Sequence, residues 1–154
     1  MNILITYGTN SGNTLHVAKR LDENLNQTDH STTLKPIQEV SETEIDSVEA
    51  IVLGCCTWEW IKDGQKLDGQ LQDHMRKFVS THQELDLKSK PCAIFALGHD
   101  NYTQFCAAAD KLEKFISQSK GKHIGETLRI NGFPHKQQDA IDAWTSSLVP
   151  LLES

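Results

Sequence analysis

Short unbroken apolar runs alternate along this chain with longer stretches that are apolar only at every third or fourth position. The runs Ile3-Leu4-Ile5-Thr6-Tyr7, Ala50-Ile51-Val52-Leu53-Gly54 and Pro91-Cys92-Ala93-Ile94-Phe95-Ala96-Leu97-Gly98 have the length and composition of strands buried on both faces. Thr32 to Ile37 reads as a weaker strand, and His123 to Ile130 as a less apolar last one. Helical spacing predicts helices over about residues 13 to 27 (Leu15, Ala18, Leu21), over a segment carrying Leu71, Met75, Phe78 and Val79, over Phe105 to Ser117 (Leu112, Phe115, Ile116) and over Gln137 to Leu152 (Ile141, Trp144, Leu148). Between them lie an acidic connection, Glu39 to Glu49, and a long polar stretch, Cys55 to Asp68. Strands alternating with helices predict an α/β fold: a doubly wound five-stranded parallel sheet, order 2-1-3-4-5, with helices on both faces. There is no repeat or linker, and residues 1–154 are expected to form one domain.

Such a sheet takes its ligand outside the carboxyl ends of strands 1 and 3, where the strand order reverses, with the end of strand 4 alongside. The three most unusual stretches of the chain fall there. The first, Gly8-Thr9-Asn10-Ser11-Gly12-Asn13-Thr14, follows a strand and opens a helix, and its hydroxyls, amides and free helix N–H groups suit a phosphate. An ordinary capped helix start, with Ser11 or Asn13 as the cap, is the competing reading of the same residues. A Walker loop would need Lys at position 13, and a dinucleotide fingerprint would need a third glycine; both are absent. The second and third stretches, Cys55-Cys56-Thr57-Trp58-Glu59-Trp60 and Gly98-His99-Asp100-Asn101-Tyr102, bring large aromatics to the same rim, as walls for a flat ring. A phosphate at one end and aromatic planes at the other describe flavin mononucleotide (FMN).

Composition narrows the picture. Fifteen Lys and Arg against 21 Asp and Glu give a net charge of −6, which argues against a nucleic-acid partner and for a basic protein partner. No apolar run reaches the roughly 20 residues of a membrane span, and Met1 leads straight into a strand, so a cytoplasmic protein with no membrane partner is expected. The four cysteines form no CxxC pair and read as buried free thiols. The seven histidines show no metal-ligand spacing, so no metal is expected. Neither Cys55 nor Cys56 is followed six residues later by Arg, which excludes a low-molecular-weight phosphatase loop; Gly54-Cys55-Cys56 stands where a receiver domain would carry Asp.

These three motifs, in this order and spacing, resemble those of short-chain flavodoxins, and the resemblance runs the whole chain. It implies a flavodoxin-like sheet, non-covalent FMN and an electron carrier rather than an enzyme, shuttling single electrons between a flavodoxin reductase and a low-potential acceptor enzyme. Docking through the flavin rim as a monomer is expected. By the same resemblance Thr9, Asn10, Ser11, Gly12, Asn13 and Thr14 would hold the phosphate. Thr57 would lie near the ribityl chain, Trp58 would cover the inner ring face and Tyr102 the outer. Backbone groups around His99, Asp100 and Cys106 would meet the pyrimidine edge, and Cys56, Glu59 and Gly98 would also contact the cofactor. The tail Gly125 to Asn131 also resembles small flavodoxin-like proteins implicated in biotin synthesis, which leaves the subfamily open. Other functions on the same fold, an accessory or binding protein with weak or no FMN or a small FMN-dependent reductase, are the alternatives.

Two departures from the family pattern bear on tuning. Glu59 stands where Gly usually follows the loop Trp, and a Cβ there resists the φ > 0 turn through which that peptide meets the half-reduced flavin. Losing a hydrogen bond of about 0.5–1.5 kcal/mol would move a one-electron potential by roughly 20–65 mV. Lys62 and Lys66 enter a loop that is commonly acidic and are expected to make full reduction easier, while Trp60 is a candidate anchor for a partner.

Overall fold

The computed structural model describes residues 1–10, 12–98 and 106–154, and for 58–62 and 66–69 the backbone alone. The elements in order are β1 (Asn2–Gly8), α1 (Asn13–Asn26), β2 (Ser31–Pro36), α2 (Glu42–Ser47), β3 (Ala50–Lys62), β4 (Gln65–Leu71), α3 (Asp73–Thr81), β5 (Pro91–Gly98), α4 (Ala107–Gln118), β6 (Lys122–His123), β7 (Leu128–Asn131) and α5 (Gln138–Leu152). The three apolar runs form the middle of the sheet: β1 pairs in parallel with β2 and β3, and β3 with β5. The path β2-β1-β3-β5-β6 is the expected order, with one extra strand, β4, off the path, and the last position filled in two pieces because β7 also pairs with β5.

Because side chains alternate across a strand, each central strand feeds two cores. Ile3, Ile5, Val52 and Phe95 pack with Val17, Leu21 and Leu25 of α1 and with Ile141, Trp144 and Leu148 of α5. Leu4, Ile51, Leu53 and Ile94 pack on the other face with Ile45 of α2, Met75 and Phe78 of α3, and Leu112, Phe115 and Ile116 of α4. With burial of one such side chain contributing roughly 1.5–3 kcal/mol, the double cover explains why β1, β5 and positions 50–56 of β3 hold almost no polar residue.

Several boundaries differ from the sequence-based expectation. The stretch Cys55 to Asp68, expected as a polar connection, is the far half of β3 turning back as β4, an antiparallel hairpin. Its two-residue turn is Asp63-Gly64, with φ of 52° and 76°, the mirror-image turn that matches strand twist. Leu71 ends β4 rather than opening the next helix, which starts at Asp73. The acidic connection contains α2, started by a capping box in which the Ser41 side chain accepts from Glu44 N while the Glu44 side chain accepts from Ser41 N. The last strand is interrupted between β6 and β7, where Gly125 has φ 66° and the Glu126 carbonyl accepts from Trp144 Nε1 at 2.7 Å. The helix expected from Phe105 begins at Ala107, and Phe105 itself lies outside the described residues. Among the described residues no helix is long and apolar enough to cross a membrane.

On the α1/α5 side a forked ion pair joins the helices. Arg20 Nε and an Nη donate to the two oxygens of Asp142 at 2.8 Å each, and Asn24 Nδ2 donates to the same carboxylate at 2.8 Å. The bond from Arg20, then that from Asn24, holds the Asp142 carboxyl at about 2, against an ordinary 3.8. A carboxyl depressed in the folded state stabilises above its unfolded pKa, and that stability disappears as pH falls through the folded one. Asp142→Asn is therefore expected to lower the melting temperature at neutral pH and to flatten the loss of stability between about pH 4 and about pH 2, read from thermal melts across that range. An unchanged acid limb would contradict the assignment.

Candidate functional site

The register brings three chain segments to one edge of the parallel sheet within two positions of one another. Gly8 pairs with Cys55, Cys56 with Leu97, and Gly98 with Asn131. With strands about 4.8 Å apart, the exits of β1 and β5 lie roughly 10 Å from one another, with β3 between them.

The first segment is the turn from β1 into α1. The N-cap of α1 is Gly12, at φ 91°, where the capped-start reading named Ser11 or Asn13, and it brings no side chain to the first-turn donors. Its own N–H donates to Thr9 Oγ1 at 3.0 Å, which folds the turn tightly. Thr14, in the first turn, is 1% exposed, and its hydroxyl has no hydrogen-bond partner among the described residues. A buried hydroxyl without a partner is costly, roughly 1–3 kcal/mol, and here it sits beside free N–H groups at the positive end of a helix dipole. Those features together fit an anion. Ser11 lies outside the described residues; Asn13 is the first helical residue and half-buried.

Asn10 is tied down by a residue the sequence reading missed. Gln72, wholly buried between β4 and α3, donates from Nε2 to Asn10 Oδ1 and accepts from Met75 N through Oε1 at 3.1 Å, while its own N–H donates to Cys56 O at 3.2 Å. One side chain thus caps α3, holds the β1 turn and, through its backbone, fixes the end of parallel β3. A Cβ on Gly8 would lie 2.3 Å from Gln72 Oε1, which accounts for glycine at the strand end. The Gln72 cap on Met75 N is local, three positions on, but the partners that tie it to the rim, Asn10 and Cys56, are 62 and 16 positions away, and only the fold brings them together.

The second and third segments meet at α4. Thr57, 3% exposed, accepts from Ala108 N at 3.1 Å, leaving its O–H proton for another partner. Cys106, with φ 50°, is the N-cap of α4, and its carbonyl accepts from Arg129, whose other nitrogen pairs with Asp110 at 2.9 Å. A Cβ on Gly98 would lie 2.7 Å from Cys106 N, so this approach of β5 to α4 requires glycine. Trp58 and Glu59 lie on the β3 extension, Trp58 opposite Gln70, and the register shifts between Trp58 and Trp60 so that Glu59 falls in the break. The side chains of Trp58, Glu59, Trp60, Lys62 and Lys66, and the whole of His99, Asp100 and Tyr102, lie outside the described residues.

The cysteines are free, and burial raises the thiol pKa of three of them: Cys106 to about 11, Cys92 to about 12, and Cys55 further. Cys56 alone is half-buried.

The flavodoxin family model matches residues 5–144. A flavodoxin of Maridesulfovibrio salexigens is 32% identical over 146 residues, 94% of each chain. Protein MioC of Escherichia coli is 35% identical over 88 residues, 55% of this chain and 60% of its own. Among solved structures, oxidised Flavodoxin 2 from Bacillus cereus superposes with a TM-score of 0.87 at 25% identity, covering 97% of this chain and 99% of the other.

Gln72→Leu keeps the volume and removes both side-chain bonds. It is expected to cost about 1–3 kcal/mol in denaturant unfolding, with the loss concentrated in hydrogen-exchange protection of the α1 and α3 first turns. Native protein treated with a thiol reagent is expected to modify Cys56 first, and the three buried thiols only on unfolding; rapid labelling of all four would contradict the packing.

Proposed function

The chain belongs to the flavodoxin family, and on that premise we propose how its rim does the work of an FMN-dependent electron-transfer protein. FMN, when bound, supplies the reversible uptake and release of single electrons; the polypeptide supplies an anchor, a slot and a field. The residues Thr9, Asn10, Ser11, Gly12, Asn13 and Thr14 hold the phosphate through side chains and N–H groups. Thr57, with Cys56 beside it, orients the ribityl chain by its spare proton, Trp58 and Tyr102 cover the two ring faces, and Gly98, His99, Asp100 and Cys106 form the edge that meets the pyrimidine.

The observation that carries this reading is the buried Thr14 hydroxyl, without a partner among the described residues, at a helix start whose cap residue is glycine. A phosphate satisfies that hydroxyl and the N–H groups at once and gains roughly 0.3–1 kcal/mol from the dipole besides. No cation stands in the described part of the turn, which favours a phosphate held in place over one being transferred. The protein is a carrier rather than a catalyst on this reading, acting in the cytoplasm as a monomer between a flavodoxin reductase and an acceptor enzyme that both dock over the flavin rim.

Thr14→Val tests the anchor. Loss of a hydrogen bond to a charged group, about 1.5–3 kcal/mol, should weaken FMN binding roughly ten- to a hundredfold while leaving riboflavin, which lacks the phosphate, bound as before. Equal loss for both ligands, or a wild-type protein that takes up no FMN, would sink the proposal. For the tuning position, Glu59→Gly is expected to separate the two one-electron steps by a further 20–65 mV or so in an anaerobic redox titration.

A further inference from the structure

Away from the rim, helices α3 and α4 leave an open groove of about 350 Å³ between them, bounded at one end by β4. Its floor is apolar, from Leu71, Val79 and Phe115. Its walls carry Arg76, Lys111 and Lys114 with neutral amides and a hydroxyl, and no carboxylate lines it among the described residues. In a chain of net charge −6 this is an inverted patch. The α4 acids are engaged away from the groove, Asp110 and Glu113 pairing with Arg129 at 2.9 and 3.7 Å, while Asp73 of α3 pairs with Lys77 and with the wall residue Arg76, leaving Lys111 and Lys114 as the cations that define the patch. Lys111 and Lys114 are exposed and make no ion pair among the described residues. Three positions apart on one helix, they face the same way and repel each other, an arrangement relieved by an acidic group laid across both.

We propose that this groove is a docking site for an acidic segment of a partner protein, with carboxylates on Lys111 and Lys114 and apolar side chains on the Leu71, Val79 and Phe115 floor. Charge complementarity selects the partner, and the apolar floor together with the openness of the groove selects a polypeptide over a small anion, which a polar and enclosed site would suit better. None of its lining residues belongs to the proposed cofactor site. Gln70, at the groove's end, sits opposite Trp58 in the hairpin ladder, so a segment bound here brings its protein alongside the rim without covering it.

The test uses the purified full chain and a fluorescein-labelled peptide of Glu-Glu-Leu repeats, followed by anisotropy at low salt. Binding is expected, falling steeply as salt is added, weakened about tenfold by Lys111→Glu with Lys114→Glu, and by less with Gln at both positions. Lys19→Glu, on α1 across the sheet, should leave it unchanged. Circular dichroism and FMN uptake establish that each variant is folded. The proposal is overturned if the peptide does not bind, if it binds wild type and the double Glu variant alike, or if tripolyphosphate displaces it completely at equal charge, which would make the groove a small-anion site.

Discussion

Burial of β1, β3 and β5 on both faces is the constraint from which the rest of this molecule follows. A strand covered on one side only can end anywhere its pattern allows, but three strands sandwiched between α1 and α5 on one face and α2, α3 and α4 on the other must keep a common register. A slip of one residue would exchange every inward side chain of a strand between the two cores. Register in turn places Gly8, Cys56 and Gly98 within two positions of one another along the strands, so that segments remote in sequence share a rim. The site is a consequence of the packing before it is a matter of its own residues.

Within that frame Gln72 converts a coincidence of strand ends into a fixed geometry. A buried amide is tolerable only when its donors and acceptors are used, and Gln72 uses them on Asn10 and Met75 N, with its N–H on Cys56 O. The bonds satisfy a helix start, a strand end and a loop side chain together, so moving any one of the three leaves a buried polar group unpaired. Thr14 shows the opposite condition in the same turn: a hydroxyl as deeply buried, with its hydrogen bonding open. One polar group stiffens the frame, and the other is left for something brought in from outside.

How much of this could be read from the chain depends on the range over which each signal acts. The central strands were legible because an unbroken apolar run has one explanation, and the rim because large aromatics are unusual in turns just past such runs, whereas Gly, Thr and Asn are what any turn prefers and signal a phosphate only in that company. The hairpin was misread although its local signal was present: Asp63-Gly64 between two stretches of similar length is a two-residue turn, outweighed by the polar residues that alternate through Trp58 to Lys62. Ser41 and Glu44 likewise spelled a capping box in a segment too short and acidic to look helical. The bond from Gln72 to Asn10 and the fork between Arg20 and Asp142 had no local signal, since each joins residues more than sixty positions apart. The sequence places the sheet and its rim; the long-range polar bonds that hold them need the fold.

Charge is distributed by the same architecture. A net charge of −6 describes the chain, but a partner meets one face at a time, and beyond a Debye length of about 8–10 Å the rest of the surface is screened. On α4 the residues at 110 and 113 turn toward Arg129 while 111 and 114 turn toward α3, so one helix presents a neutralised side and a cationic one. The helix period creates that division, and the packing of α4 on Thr57 through Ala108 orients it. An acidic protein can for this reason attract a basic surface by its average field and an acidic segment by a local groove, with no conflict between the two.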